Sequence, residues 1–347
     1  NSTGIRNAAF GAHSCRSTTG SHNTGLGYET LYSNTSGSEN VAVGGFCMDS
    51  NTTGQNNVGV GYGALDANTT GYQNVAIGSR ALDANTTGEN LVAIGYNALG
   101  SNTTNSGNTA VGAFALEDNT SSNNTGIGYH ALKENTSGAQ NTAFGSSALA
   151  NNTTADDNTA VGYAALTANT TGYSLTACGH RTLASNTTGY FNTAFGRVAL
   201  DAVTTGTQNN ALGYDAGGGI TTGDNNTCIG HNAGNTVTTG SRNVFVGALT
   251  DTGSTNSDSI TIGYGIDSVG DNYFTFGKTA HRVYNQFTSN ASWTRSSDVR
   301  LKKDIQTNTD LGLNFINDLR TVTYKWKAPS ELDSSLSSYD ATKTEHD

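Results

Sequence analysis

The sequence predicts an all-β chain, a parallel β-solenoid built from turns of 17 residues. One observation is periodic. The motif Asn-(Val/Thr)-Ala-(aliphatic)-Gly returns once per turn, at seventeen glycines from Gly11 to Gly277 that include Gly44, Gly61, Gly78 and Gly95. The interval is 17 residues, shortened to 16 at three places and to 14 before Gly277. Composition supplies the second. Of 347 residues, 34% are hydrophobic and 13% charged, too few for ordinary globular domains and too few for a disordered polyelectrolyte. Gly numbers 44 and Pro 1, with Asn, Thr and Ser filling the remainder, which is the chemistry of tight turns. The third is physical: one such turn cannot bury its apolar face, so neighbours must stack.

Within a turn, Asn74-Val75-Ala76-Ile77 alternates like a short strand, with Val75 and Ile77 sharing a face. The residue before the glycine is apolar throughout, as in Phe10, Val43, Ile77, Ile94, Phe144, Val161 and Phe195. The fourth residue after it is Leu from Leu65 through Leu200. These two columns are expected to form the core. The alanines two before the glycine, such as Ala76 and Ala110, are expected to stay small because another backbone passes close by. Stacked strands rise about 4.8 Å per turn, giving a rod of about 80 Å. Each coil is thin, so parallel chains sharing one axis are expected to supply the missing burial.

The second half of the turn is a corner, Asn-Thr-Thr-Gly or a close variant. Its asparagines are Asn34, Asn51, Asn68, Asn85, Asn102, Asn119, Asn135, Asn152, Asn169 and Asn186. Each reads as a stacked turn residue with side-chain hydrogen bonds running up the rod, and each also fits the N-glycosylation pattern, which is the alternative reading. Farther on, the Asn becomes Val203, Ile220 and Val237 while Thr-Thr-Gly persists, so the corner depends more on the latter. After the glycine, Tyr28, Tyr62, Tyr96, Tyr129 and Tyr163 alternate with Gly45, Ser79, Ala113 and Ser146. Ring thickness against the strand spacing accounts for that alternation, with an aromatic sugar-binding face as the alternative reading.

The net charge of −10 speaks against nucleic acid, and no apolar run is long enough for membrane insertion. Opening at Asn1 without Met or signal peptide reads as a mature or trimmed chain. No cofactor is expected, and no metal site either, because His180 and His231 share a column three turns apart. Cys15 and Cys47, like Cys178 and Cys228, lie too far apart for a disulfide and read as small core or surface residues. The pair Asp156-Asp157 sits in a variable loop and gives only weak support to glycosidase chemistry.

Near residue 280 the repeat stops, and Lys and Arg concentrate between Arg295 and Lys327. Residues 1–280 therefore read as a shaft, 281–296 as a neck or linker, and 297–347 as a separate small α+β segment. The run Ser297-Asp298-Val299-Arg300-Leu301-Lys302-Lys303-Asp304-Ile305 resembles the opening of the intramolecular chaperone domain of phage endosialidases and tail spikes, a self-cleaving Ser–Lys peptidase. The resemblance covers the last 51 residues, which read as an incomplete domain because that of the family runs on further. It implies that the segment drives trimerisation of a β-helical shaft and then cuts itself off. Carried over, Ser297 is the nucleophile, Lys302 its general base and Asp298 a residue shaping the site, with cleavage at Ser296–Ser297. A Lys can serve such a Ser when desolvation lowers its pKa. The repeat is similar in its own right to the heads of trimeric autotransporter adhesins, which are left-handed β-rolls of three chains with shorter repeats.

These readings together predict a homotrimeric tail-fibre shaft in a virion, contacting a host-cell surface glycan or protein receptor. The alternatives are a bacterial or other extracellular adhesin or filament, and, less favoured, a polysaccharide depolymerase.

Overall fold

The computed structural model describes residues 4–288, and within them the chain is a parallel β-solenoid without helices. Fifteen strands of three residues, β1 (Ala8–Phe10) through β15 (Val244–Val246), are followed by β16 (Ile260–Tyr264), β17 (Tyr273–Lys278) and β18 (His281–Gln286). Seventeen strands pair in parallel with their sequence neighbours, closing sixteen coils in one sheet. Register follows the repeat: Val75, Ala76 and Ile77 face Val92, Ala93 and Ile94. The 16-residue turns keep it too, since Thr109 still faces Thr125. The missing residue is taken out of the corner, where Asn119 Nδ2 donates to the carbonyl of Ser121, two residues on, instead of three on as at Asn85.

The ladder extends beyond the strands. Arg80 N donates to the carbonyl of Tyr62 one coil below, and Leu82 N to that of Ala98 one coil above. Each coil therefore hydrogen-bonds its neighbours at several points of its circumference. The backbone manages its tight path with left-handed residues: in the coil that starts at Gly78, φ is +133° at Gly78, +56° at Arg80, +54° at Leu82 and +57° at Asn90. Glycine is required at the first of these. A Cβ on Gly78 would lie 2.5 Å from the carbonyl oxygen of Gly95.

The core runs up the inside of the coil and differs from the expected one in a single column. The leucines are fully buried, Leu65 through Leu200, beside buried alanines three residues after the glycine, such as Ala81 and Ala98. The middle residue of every strand from β2 to β15 is buried as well. The residue before the glycine, expected in the core, points outward instead: Ile77 is 38% and Phe144 55% exposed. A period of two fixes which residues share a face but not which face is inside. The small alanine faces the core, with backbone close by as expected: a Cβ on Gly126, in the same column, would lie 3.0 Å from the carbonyl oxygen of Ala131 and 3.1 Å from Leu116 Cγ. Where Gly59 replaces it, an added Cβ would run into Cys47 Sγ and Met48 Cε.

Volume is balanced across turns. Gly217 and Gly234 occupy the leucine column, and Cys228 and Phe245 in the alanine column fill the space they leave. Each chain thus has a continuous core of its own from Cys15 to Phe245, more than the thinness of a coil had promised. The last turn closes with a hairpin, as β18 pairs antiparallel with β17. The first six residues of the expected neck are therefore the solenoid's final strand.

Candidate functional site

Three longitudinal features of the shaft carry its chemistry. The first is the outward strand face. Strands β1 to β16 present their first and third residues to the outside, and the third is apolar in each from Phe10 to Ile262, with Phe276 of β17 next in register. Leu212 is 54% exposed and Ile229 40%.

The second is the corner, which holds two internal asparagine ladders. All ten corner asparagines, Asn34, Asn51, Asn68, Asn85, Asn102, Asn119, Asn135, Asn152, Asn169 and Asn186, are fully buried. Asn85 Nδ2 donates to Asn68 Oδ1 one coil below at 2.9 Å and to its own corner carbonyl, Gly88 O, at 3.1 Å. A glycan on Nδ2 would take one of those hydrogens and find no path out of the coil. Sequence reading had used the second ladder only as an alignment mark. Asn57, Asn74 and their equivalents are also buried, and Asn74 donates and accepts at once: its N–H goes to Asn57 Oδ1 and its Nδ2 to Gly88 O, while its own Oδ1 accepts from Leu91 N. Where the corner becomes Val203, Ile220 and Val237, this second ladder takes over, with Asn226 Nδ2 donating to Asn209 Oδ1 and Asn243 Nδ2 to Asn226 Oδ1. The first ladder ends in an unpaired acceptor, the buried Asn186 Oδ1. The first threonine of the corner persists because its hydroxyl bonds the next coil, as Thr86 Oγ1 does to Thr103 O at 3.0 Å.

The third is an aromatic ridge. Tyr28, Tyr62, Tyr96, Tyr129 and Tyr163 are all exposed, Tyr62 by 57%. The expectation that rings need a small residue between them is corrected here. Tyr163 stacks on His180 of the next coil at 5.3 Å, Tyr214 on His231 at 5.3 Å, and Tyr173 on Tyr190 at 5.1 Å. A strand spacing admits a flat ring in adjacent turns. Where the column holds Gly45 or Ala113, Phe46 and Phe114 fill the gap edge-on to neighbouring tyrosines.

Beside the ridge a groove of about 490 Å³ opens between Phe46, Tyr62, Gly63, Asp66, Arg80 and Asp83. Asp49, Asp66 and Asp83 stack in consecutive coils. Burial raises the pKa of each, Asp66 further through repulsion by Asp49 and Asp83, while Arg80 pulls Asp83 the other way. Asp156 is already engaged, its Oδ1 accepting from Ala139 N at 2.7 Å. Among the described residues no group of three or more His, Cys, Asp or Glu is placed to hold a metal, and no helix is long and apolar enough to cross a membrane. The four cysteines are free; burial pushes the Cys47 thiol up to about 12, and Cys178 stands on the outward strand face.

Ser297, Asp298 and Lys302 lie outside the described residues. Their segment is assigned by comparison. Residues 297–344 match the family described as chaperone of endosialidase. A search of curated proteins found no match. A β-solenoid followed by a chaperone-of-endosialidase segment fits a fibrous protein of tail-fibre or spike type carrying an intramolecular trimerisation chaperone.

Proposed function

We propose that the chain is the shaft of a virion tail fibre that assembles as a homotrimer and attaches to a host-cell surface. The observation that supports this best is the chaperone-of-endosialidase match directly following a long solenoid. In this reading the chaperone segment sets the register of three chains and then leaves. Ser297 Oγ attacks the carbonyl carbon of Ser296 while Lys302 takes the serine proton and returns it to the Ser297 nitrogen as the peptide C–N bond breaks; Asp298 shapes the site, and water then hydrolyses the ester, leaving Ser296 with a free carboxylate. The logic is kinetic: parallel stacking of long-range turns is slow and prone to slip, and removing the template leaves a product held by its unfolding barrier. Receptor contact, to a glycan or a protein, falls to the exposed aromatic ridge, whose rings offer faces for stacking. An extracellular adhesin would share the solenoid, and the chaperone match favours the fibre over it.

The test is the intact mass of the purified protein, native and denatured, beside Ser297→Ala. Three chains in the native species, with loss of everything after Ser296 in the wild type alone, is the expected result. The same spectrum should show no sugar on the corner asparagines. A single uncut chain in both versions overturns the reading.

A further inference from the structure

We infer that the outward strand face is where copies of this chain meet, running parallel and level so that each outward residue faces its own counterpart. The inference rests on the homo-oligomeric reading above and adds to it the surface and the alignment.

Size is the first argument. The third residues of β1 to β16, continued in register by Phe276 of β17, form an unbroken apolar column along the described shaft, among them Leu26, Ile77, Phe144, Phe195, Leu212 and Ile262. Such a column exposes on the order of 1,000 Å², more than the few hundred Å² that a monomer leaves in water and comparable with the ~800 Å² per partner of a stable interface.

Charge is the second. The first and third residues of these strands hold no charged side chain at any position, although 13% of the chain is charged. From β1 to β16 no strand contains an Asp, Glu, Lys or Arg, and the charges of these coils lie in the segments between strands. Depletion of charge at this one face is what the centre of an interface requires.

Spacing selects the occupant. The column repeats once per strand rise, so a partner must share that rise over the full length to cover it. A second copy of the chain does so, and the even register maintained through the shortened turns keeps the match from end to end. A slip by one turn would uncover a large apolar residue at each end. Cyclic symmetry about an axis along the rod sets equal heights together, and so places Cys178 of β11 (Thr176–Cys178) beside Cys178 of its neighbours. An antiparallel pair would instead set β11 against β7 (Thr109–Val111).

Two experiments on the assembled protein test this. Phe144→Asp changes a side chain already exposed in the single chain, so the strand signal in circular dichroism should stay while the native mass falls from three chains to one. An oligomer that survives Phe144→Asp, with Ile77→Asp added, overturns the choice of face and leaves the oligomeric reading intact. A wild type that is a single chain overturns that reading itself. For alignment, a short bismaleimide should join Cys178 to Cys178, giving a doubled band on a denaturing gel that Cys178→Ser removes and Val161→Cys in that background restores. The exposed Ser101→Cys, away from this face, should stay unlinked in the same background. A Cys178 that stays unlinked, or that joins Val111→Cys in preference to itself, overturns the level arrangement.

Discussion

At the scale of the residue, the corner asparagine does more than turn the chain. Asn85 holds three side-chain bonds at once: it donates to Asn68 Oδ1 and Gly88 O and accepts from Asn102 Nδ2. Asn186 donates in the same way to Asn169 Oδ1 and Gly189 O, but its own Oδ1 has no donor above it because Val203 follows. Leaving buried polar groups without partners costs about 1–3 kcal/mol each. Asn85→Val should therefore lower stability by roughly 3 kcal/mol or more, and Asn186→Val by clearly less, read as the difference in thermal unfolding of the two variants. The corner's chemistry was half legible. The sequence pattern favoured the ladder and left the glycan as the alternative, because only burial separates a solvated Asn from one inside a coil. The second ladder gave a signal too, an Asn before most strands, replaced by Leu91, Leu175 and Ser259 before β6, β11 and β16, but a polar residue beside a strand carries no mark of pointing inward.

At the scale of the element, the turn is a strained object held by its neighbours. Non-glycine residues in the left-handed region cost about 1–2 kcal/mol each, and each coil carries several. Stacking must offset this, so an isolated turn has no stability of its own. The two kinds of glycine make this testable. Gly63 has φ +62° and open space where a Cβ would go, whereas Gly78 has φ +133° and the next coil's backbone in the way. Gly63→Ala should cost about 1 kcal/mol, while Gly78→Ala should break the stack locally and cost several times more, measured by denaturant unfolding. Strand, corner, period and leucine column could all be read from spacing. The inward face of the strand is the reverse of the one that size suggests, since Ile77 is large and Ala76 small. Inside a narrow coil the ranking reverses: there is room for Ala76 beside Leu82, and the bulkier residue goes outside.

At the scale of the whole described shaft, charge is sorted by face. Asp49, Asp66 and Asp83 stack on one line, and burial raises the pKa of each, with repulsion from Asp49 and Asp83 adding to it at Asp66. A carboxyl whose folded pKa is raised binds its proton more tightly in the fold than in the unfolded chain. Its favourable contribution is thus complete below the ordinary value of about 3.9 and is lost as pH rises through the folded value. The shaft should gain stability on mild acidification from neutral pH. Asp66→Asn should be more stable than the wild type at neutral pH, with the gap closing as pH falls towards 4, followed by melting temperature across that range. This line could not be foreseen from composition, since net charge says nothing of which acids share a column.

The shortened coils have a consequence for inheritance. A residue was removed from the corner at Asn119 without moving any strand, so each coil offers the next the same edge whatever happened in its own loop. A gene encoding such a chain can gain or lose a coil by unequal recombination between near-identical repeats, and the product still stacks. Reach is then a quantity that selection adjusts in steps of one strand rise. If copies must lie level, every such change is made in all chains of the fibre at once, because one gene supplies them all.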